Sequence, residues 1–121
     1  MVTTKIKPLL PSLREKKRYV VFEVISREMI SDFHWVSDAI LNYSFQLLGQ
    51  YGVAKAGLII LDNKWDRSRQ RGIIKVSHRY VDAIKAALVF VDRINNAPAA
   101  IRSLGVSGIL NKAERKFLKA A

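Results

Sequence analysis

The residues whose types could do chemistry are two histidines, His34 and His78, and two pairs of aspartates, Asp62 with Asp66 and Asp82 with Asp92. Histidine serves as general base or metal ligand, and paired carboxylates can hold a divalent ion at a nuclease centre. The histidines open different predicted helices, and neither has a partner at metal-ligand or triad spacing. His34 reads as a helix-start or interface residue, and His78 as an addition to a basic rim. Asp62 and Asp66 flank a short connection, where turn capping or a salt bridge to Arg67 is the plainer role. Asp82 and Asp92 stand ten residues apart on one helix and do not converge with that pair. The chain has no cysteine, so disulfides and thiolate metal sites are excluded. No chemistry of its own is expected from this polypeptide.

The cations are more informative. Residues 67 to 79 read RSRQRGIIKVSHR, with five basic side chains and no acidic one. Over the 121 residues, Lys and Arg outnumber Asp and Glu by 21 to 10, a formal charge of +11. The excess is blocked: six bases and one acid in residues 1 to 18, six and one in 64 to 79, four and one in 112 to 119. The remainder is slightly acidic. Three separate blocks of one sign suggest a footprint for a phosphate backbone, ahead of an anionic membrane or charge kept for solubility. The opening MVTTKIKPLLPSLREKKR lacks a signal peptide's continuous apolar core, and runs such as ALVFV fall short of a bilayer span. A soluble, cytoplasmic protein is expected.

These cations must be positioned by a small fold. The length suits one domain, residues 1–121, with 1–17 a basic arm whose Pro8 and Pro11 oppose regular structure. RYVVFEVIS is an apolar, β-branched run and reads as a central strand. SDFHWVSDAILNYSFQLLGQYG reads as a helix begun at Ser31 or Asp32 and ended at Gly49 or Gly52. GVAKAGLIILD is a second strand and RQRGIIKVS a third, joined by NKWDRS. HRYVDAIKAALVFVDRINN is a second helix, buried through Tyr80, Ile84, Ala87, Leu88 and Val91 and closed by Asn95 and Asn96. AAIRSLGVSG is a fourth strand. Residues 110–121 carry a C-terminal helix with Leu110, Ala113, Phe117 and Leu118 on one edge. The expected class is α/β, an α+β sandwich: a ferredoxin-like or RNA-recognition-like β-α-β-β-α-β with a four-stranded antiparallel sheet and an extra C-terminal helix.

Alternation along the third strand sets Arg69, Arg71, Ile73, Lys75 and Ser77 on one face, with Ile74 and Val76 beneath the helices. Arg69, Arg71 and Lys75 should then line an uncovered face and follow a phosphate backbone. Protection of an edge strand by charge is the competing account. RNA-recognition domains stack bases on strand aromatics, but RGIIKVSH has isoleucine in their place, so phosphate and shape contacts are favoured over base reading. The glycines of LGVSG form no phosphate-cradling loop and read as turn geometry or a packing element.

Three segments together, LREKKRYVVFEV, RSRQRGIIKVSHR and the late LGVSGILNKAERKFL, resemble the archaeal and eukaryotic ribonuclease P protein component 2 family. Ile109 departs from the pattern, where a small polar residue, often Thr, is expected. The resemblance implies a subunit of the particle that removes 5′ leaders from precursor tRNA, with eukaryotic relatives shared with a related RNA-processing complex. It implies that hydrolysis and its Mg²⁺ belong to the RNA subunit, with no cofactor on this chain. The implied partners are ribonuclease P RNA and ribonuclease P protein component 3, with a homodimer within a heterotetramer open. On the matching residues, Arg14, Lys16, Lys17 and Arg18 look like RNA-backbone contacts, extended by Arg67, Arg69, Arg71, Lys75 and Arg79 and by Lys112, Arg115 and Lys116. Phe33, Trp35, Tyr43 and Phe45 on the lysine-free first helix, with Phe117 and Leu118, are candidates for protein contact. A ribosomal or general RNA-chaperone protein is the alternative.

Overall fold

The computed structural model describes residues 16–120. Strand β1 (Lys17–Ser26) is central, paired antiparallel with β3 (Arg71–Ser77) on one side and β5 (Ala97–Ser107) on the other. Its apolar run is what burial on both faces demands. Val20, Phe22 and Val24 enter the main core with Ile74 and Val76, while Val21 turns the other way and meets Ile73.

Helix α1 (Phe33–Ala56) starts where the sequence indicated. Asp32 caps it, its Oδ1 accepting the His34 N–H at 2.9 Å. Its inner stripe of Val36, Ala39 and Ile40 is buried against the sheet. Gly49 interrupts it at φ 74°, ψ 172°, a conformation open to glycine, and the chain then resumes helix up to the Gly57 cap. The expected second strand is thereby displaced. Val53 to Ala56 are helical, Ala56 packs fully buried in the core, and only Ile59–Ile60 remain as β2 beside β3. A helix with a buried face and an αL cap outweighs the β-propensity of so short a stretch.

The third strand begins two residues later than expected. Asp66 to Arg71 close a turn, in which Gln70 stands at φ 52° with its side chain buried. Gln70 Oε1 accepts the Ile30 N–H at 2.6 Å, and its Nε2 donates to the Val24 carbonyl and Ser26 Oγ at 3.1 Å each. The left-handed residue breaks the alternation, so Arg69 shares no strand face with Arg71.

Helix α2 (Val81–Phe90) is shorter than the sequence suggested. Asn95 and Asn96 do not close it; at φ 51° and 65° they form the tip of a hairpin between β4 (Arg93–Ile94) and β5. Two positive φ values in a two-residue loop are the signature of a type I′ turn, which asparagine tolerates well. The sheet therefore has five strands, not four, in the order β2-β3-β1-β5-β4.

The chain ends in α3 (Leu110–Ala113), which continues as a π turn over Glu114–Leu118. It covers the sheet face opposite α1 and α2. Ala113 and Leu118 join Val21 and Ile73 in a second core, with Tyr19, Leu61, Leu104, Leu110 and Phe117 around them. The expected uncovered face is thus occupied, and a two-layer sandwich gives way to a sheet covered on both sides. Gly105 makes this possible: a Cβ there would lie 2.3 Å from the Phe117 ring.

Candidate nucleic-acid interface

The register of β1 against β3 decides which basic blocks meet. Lys17 stands opposite Ser77 and Tyr19 opposite Lys75. The Lys16 carbonyl accepts the His78 N–H at 2.8 Å and lies 3.1 Å from His78 Nδ1. Arg79 follows in the 3₁₀ turn His78–Tyr80, its N–H directed at Ser77 Oγ at 3.4 Å. The N-terminal block and the end of β3, nearly sixty residues apart in sequence, so form one corner of Lys16, Lys17, Arg18, Lys75, His78 and Arg79. Lys17 Nζ lies 3.0 Å from where a Cβ on Gly57 would stand, at the C-terminus of α1, whose carbonyl end favours a cation. The Arg18 guanidinium lies beside Gly108 and donates to the Lys17 carbonyl at 3.1 Å.

The opposite end of β3 is differently built. Glu23 stands between Arg71 and Arg102 across three strands. Its carboxylate takes Arg71 Nε at 3.0 Å and Arg102 Nη2 at 2.7 Å. Arg71 also donates to the carbonyls of Phe117, at 3.1 Å, and Ala120, clasping the C-terminal turn to the sheet. Its side chain is only 12% exposed. Burial alone would push the Glu23 carboxyl up, but the hydrogen bonds and charges of Arg71 and Arg102 outweigh it and hold the group below its usual range.

Arg69 pairs with Asp66 at 3.0 Å. Asp66 also accepts the Ser68 hydroxyl at 2.9 Å and the Ser68 and Arg69 N–H groups, so it caps its turn as expected, with Arg69 rather than Arg67 as its ionic partner. Its carboxyl is raised by burial and lowered by these contacts, with a net fall. Lys64 pairs with Glu114 at 2.8 Å.

Arg69, Arg71 and Lys75 therefore do not form one strip. Lys75 belongs to the corner, while Arg71 is a sheet clamp and Arg69 a turn residue. Arg67, Lys112, Arg115 and Lys116 are exposed, and Arg14 lies outside the described residues. Sequence reasoning missed Glu23 and Arg102. The signal was a single acid inside an apolar strand, which required a cation across the sheet.

The candidates for protein contact divide in the same way. Phe33 packs on Trp65, ring centroids 4.9 Å apart, and Trp65 stacks on Phe22, so Phe33 serves the core. Tyr43 donates its hydroxyl to Asp92 at 2.5 Å, a bond that raises the phenol's pKa. Phe117 fills the space above Gly105 and Leu118 is buried. Trp35 and Phe45 remain substantially exposed, joined by Leu47, Val89 and Phe90, which the sequence did not single out. Trp35 and Met29 border a cleft of about 340 Å³ between the β1–α1 connection and the β4–β5 hairpin. Among the described residues no cluster of three or more His, Asp or Glu could hold a metal, and no helix is long and apolar enough to cross a membrane.

Comparison with known proteins bears on this geometry. Residues 18–118 match the model of the Rpp14/Pop5 family. The chain is 39% identical over 112 residues to ribonuclease P protein component 2 of Pyrococcus furiosus, covering 93% of this chain and 91% of that protein. It is 40% identical over 114 residues to the protein of the same name in Methanosarcina acetivorans, covering 94% and 83%. A chain in the cryo-EM structure of yeast ribonuclease MRP shares the fold, with a TM-score of 0.58 and 16% identity over 78% of this chain and 76% of that one. With matches of this extent running from β1 through the C-terminal turn, the chain belongs to the Rpp14/Pop5 family.

Proposed function

We propose that this chain is a non-catalytic protein subunit of ribonuclease P, which binds and stabilises the catalytic RNA to support 5′-leader removal from precursor tRNA. The observation that carries this reading is similarity to ribonuclease P protein component 2 over nearly the full length, at 39% identity. The blocked positive charge supplies the physics. A folded RNA packs phosphates against one another, and lysines and arginines on a rigid surface screen that repulsion, releasing counterions as they bind. Hydrolysis and Mg²⁺ belong to the RNA in this reading, and the polypeptide contributes cations and shape. The whole chain acts as one RNA-binding domain in the cytoplasm, with its basic N-terminal arm extending the surface. RNA contact is assigned to the basic residues of the arm, to Lys75 and Arg79 at the end of β3, and to the basic residues of the C-terminal turn. Its protein partner is ribonuclease P protein component 3, in a heterotetramer built on a homodimer of this chain, and the exposed apolar side chains of α1 and α2 offer area for such contacts.

Reconstitution tests the proposal. The purified chain is mixed with matched ribonuclease P RNA, component 3 and precursor tRNA, and leader removal is followed at limiting Mg²⁺. The chain should raise activity or lower the Mg²⁺ required, and should cleave nothing without the RNA. No stimulation at any salt or Mg²⁺ concentration rejects the reading. Equal benefit to unrelated structured RNAs would replace it with a general RNA chaperone.

A further inference from the structure

We infer that the RNA backbone is gripped at the corner where the start of β1 meets the end of β3, by Lys16, Lys17, Arg18, Lys75 and Arg79, and not along β3 through Arg69 and Arg71. The inference rests on the RNA-binding role proposed above and names where that contact is made.

The distribution of counter-charges carries it. Among the described residues there are four ion pairs: Lys64 with Glu114, Arg69 with Asp66, and Arg71 and Arg102 with Glu23. All lie toward the Arg71 end of the sheet. The corner, about 13 Å away at Lys75 and about 20 Å away at Lys17 at a strand's rise per residue, has none among the described residues. Five cations are held there with no carboxylate partner among the described residues, although the same sheet supplies carboxylates elsewhere.

The corner is also built rather than incidental. Two chain segments are fixed to each other by the β1–β3 ladder and by the His78 N–H on the Lys16 carbonyl, and the β5–α3 turn backs Arg18 through Gly108. The late LGVSG segment thus serves two purposes. Gly105 seats Phe117, and Gly108 stands beside the arginine. Tyr19, between Lys75 and Ser107 in the cross-strand row, sets an aromatic side chain among the cations. Compact, fixed, unneutralised positive charge suits consecutive phosphates of a folded RNA. Arg71, whose guanidinium is spent on Glu23 and two backbone carbonyls, has little left to offer a phosphate.

The test compares three double variants of the full-length protein: Lys17→Gln with Arg18→Gln, Lys75→Gln with Arg79→Gln, and Arg67→Gln with Arg69→Gln. Affinity for ribonuclease P RNA is measured by filter binding across a salt series, with thermal melts confirming that each variant folds. The two corner variants should each bind about tenfold more weakly near 0.15 M salt. Their log–log salt slopes should flatten by roughly 1.5, at about 0.7 to 0.9 per lost phosphate contact. The Arg67/Arg69 variant should stay within about twofold of wild type. Lys75→Arg should bind as wild type does, which guards against a loss caused by misfolding. A loss in the Arg67/Arg69 variant as large as at the corner overturns the inference, as do unchanged corner variants. Corner variants that keep RNA affinity but lose component 3 overturn it in favour of an acidic protein surface. Wild-type protein that fails to bind the RNA removes the subunit proposal itself, and this is read before any variant.

Discussion

The two ends of β3 use the same kind of side chain for opposite purposes. At the Arg71 end each of four cations meets a carboxylate, and the pairs tie three strands, a turn and the C-terminal segment together. At the Lys75 end the cations of two chain segments are gathered, and among the described residues none of them pairs with an acid. A paired charge satisfies its field inside the fold and contributes structure. An unpaired cluster stores repulsion that an external polyanion relieves better than dissolved salt does. Counting arginines in the sequence therefore overstates the binding surface, because the count includes those already engaged.

The largest effect that would break this comparison is expected at Gly105, where the C-terminal turn that runs between the two ends is seated. Gly105→Val should force Phe117 off the sheet and destabilise the protein by up to about 3 kcal/mol, seen as a lowered urea midpoint. Next comes the clamp. Glu23→Ala leaves Arg71 largely buried without its carboxylate and should cost about 2 kcal/mol by the same assay. Acid should imitate that loss. The Glu23 and Asp66 carboxyls are held below their usual range, so the stability they add is present above their unfolded-state values near pH 4 and disappears as pH falls through the folded-state values. Melts between pH 6 and pH 2 should show this decline, and Glu23→Gln should make it shallower.

Smaller effects sharpen the contrast. Arg69 is 44% exposed, and its pair with Asp66 is screened by solvent, so Arg69→Ala should cost under about 1 kcal/mol. Lys75→Gln with Arg79→Gln should move stability by no more than about 0.5 kcal/mol, because among the described residues neither side chain pairs with a carboxylate. A cost comparable to that of Glu23→Ala would mean the corner serves the fold, and the distinction between the two ends would collapse.

Much of this architecture was legible beforehand because it follows from local pattern. RYVVFEVIS read as a central strand, Ser31 or Asp32 marked the helix start, of which Asp32 is the cap, and Leu110, Ala113, Phe117 and Leu118 marked the apolar edge of the terminal segment. The misreadings came where one backbone conformation redirects a segment. Gly49 permits a break after which helix resumes, turning the first part of an expected strand into helix. Gln70 at positive φ shifts the start of β3 and dissolves the face shared by Arg69 and Arg71. Asn95 and Asn96 suit a helix end and a type I′ hairpin equally, and the fold uses them for the hairpin. In each case the local preference was ambiguous, and long-range packing chose.

The order of residues by itself determined the large excess of positive charge and its gathering into three blocks. Its motifs also determined the family. Only the tertiary structure decided which cations are free, because pairing depends on strand register and on carboxylates far away in sequence. Glu23 meets Arg71 and Arg102 across distances that no periodicity encodes. Coulomb interactions act through space, and the chain's order does not reveal that space until the sheet has formed.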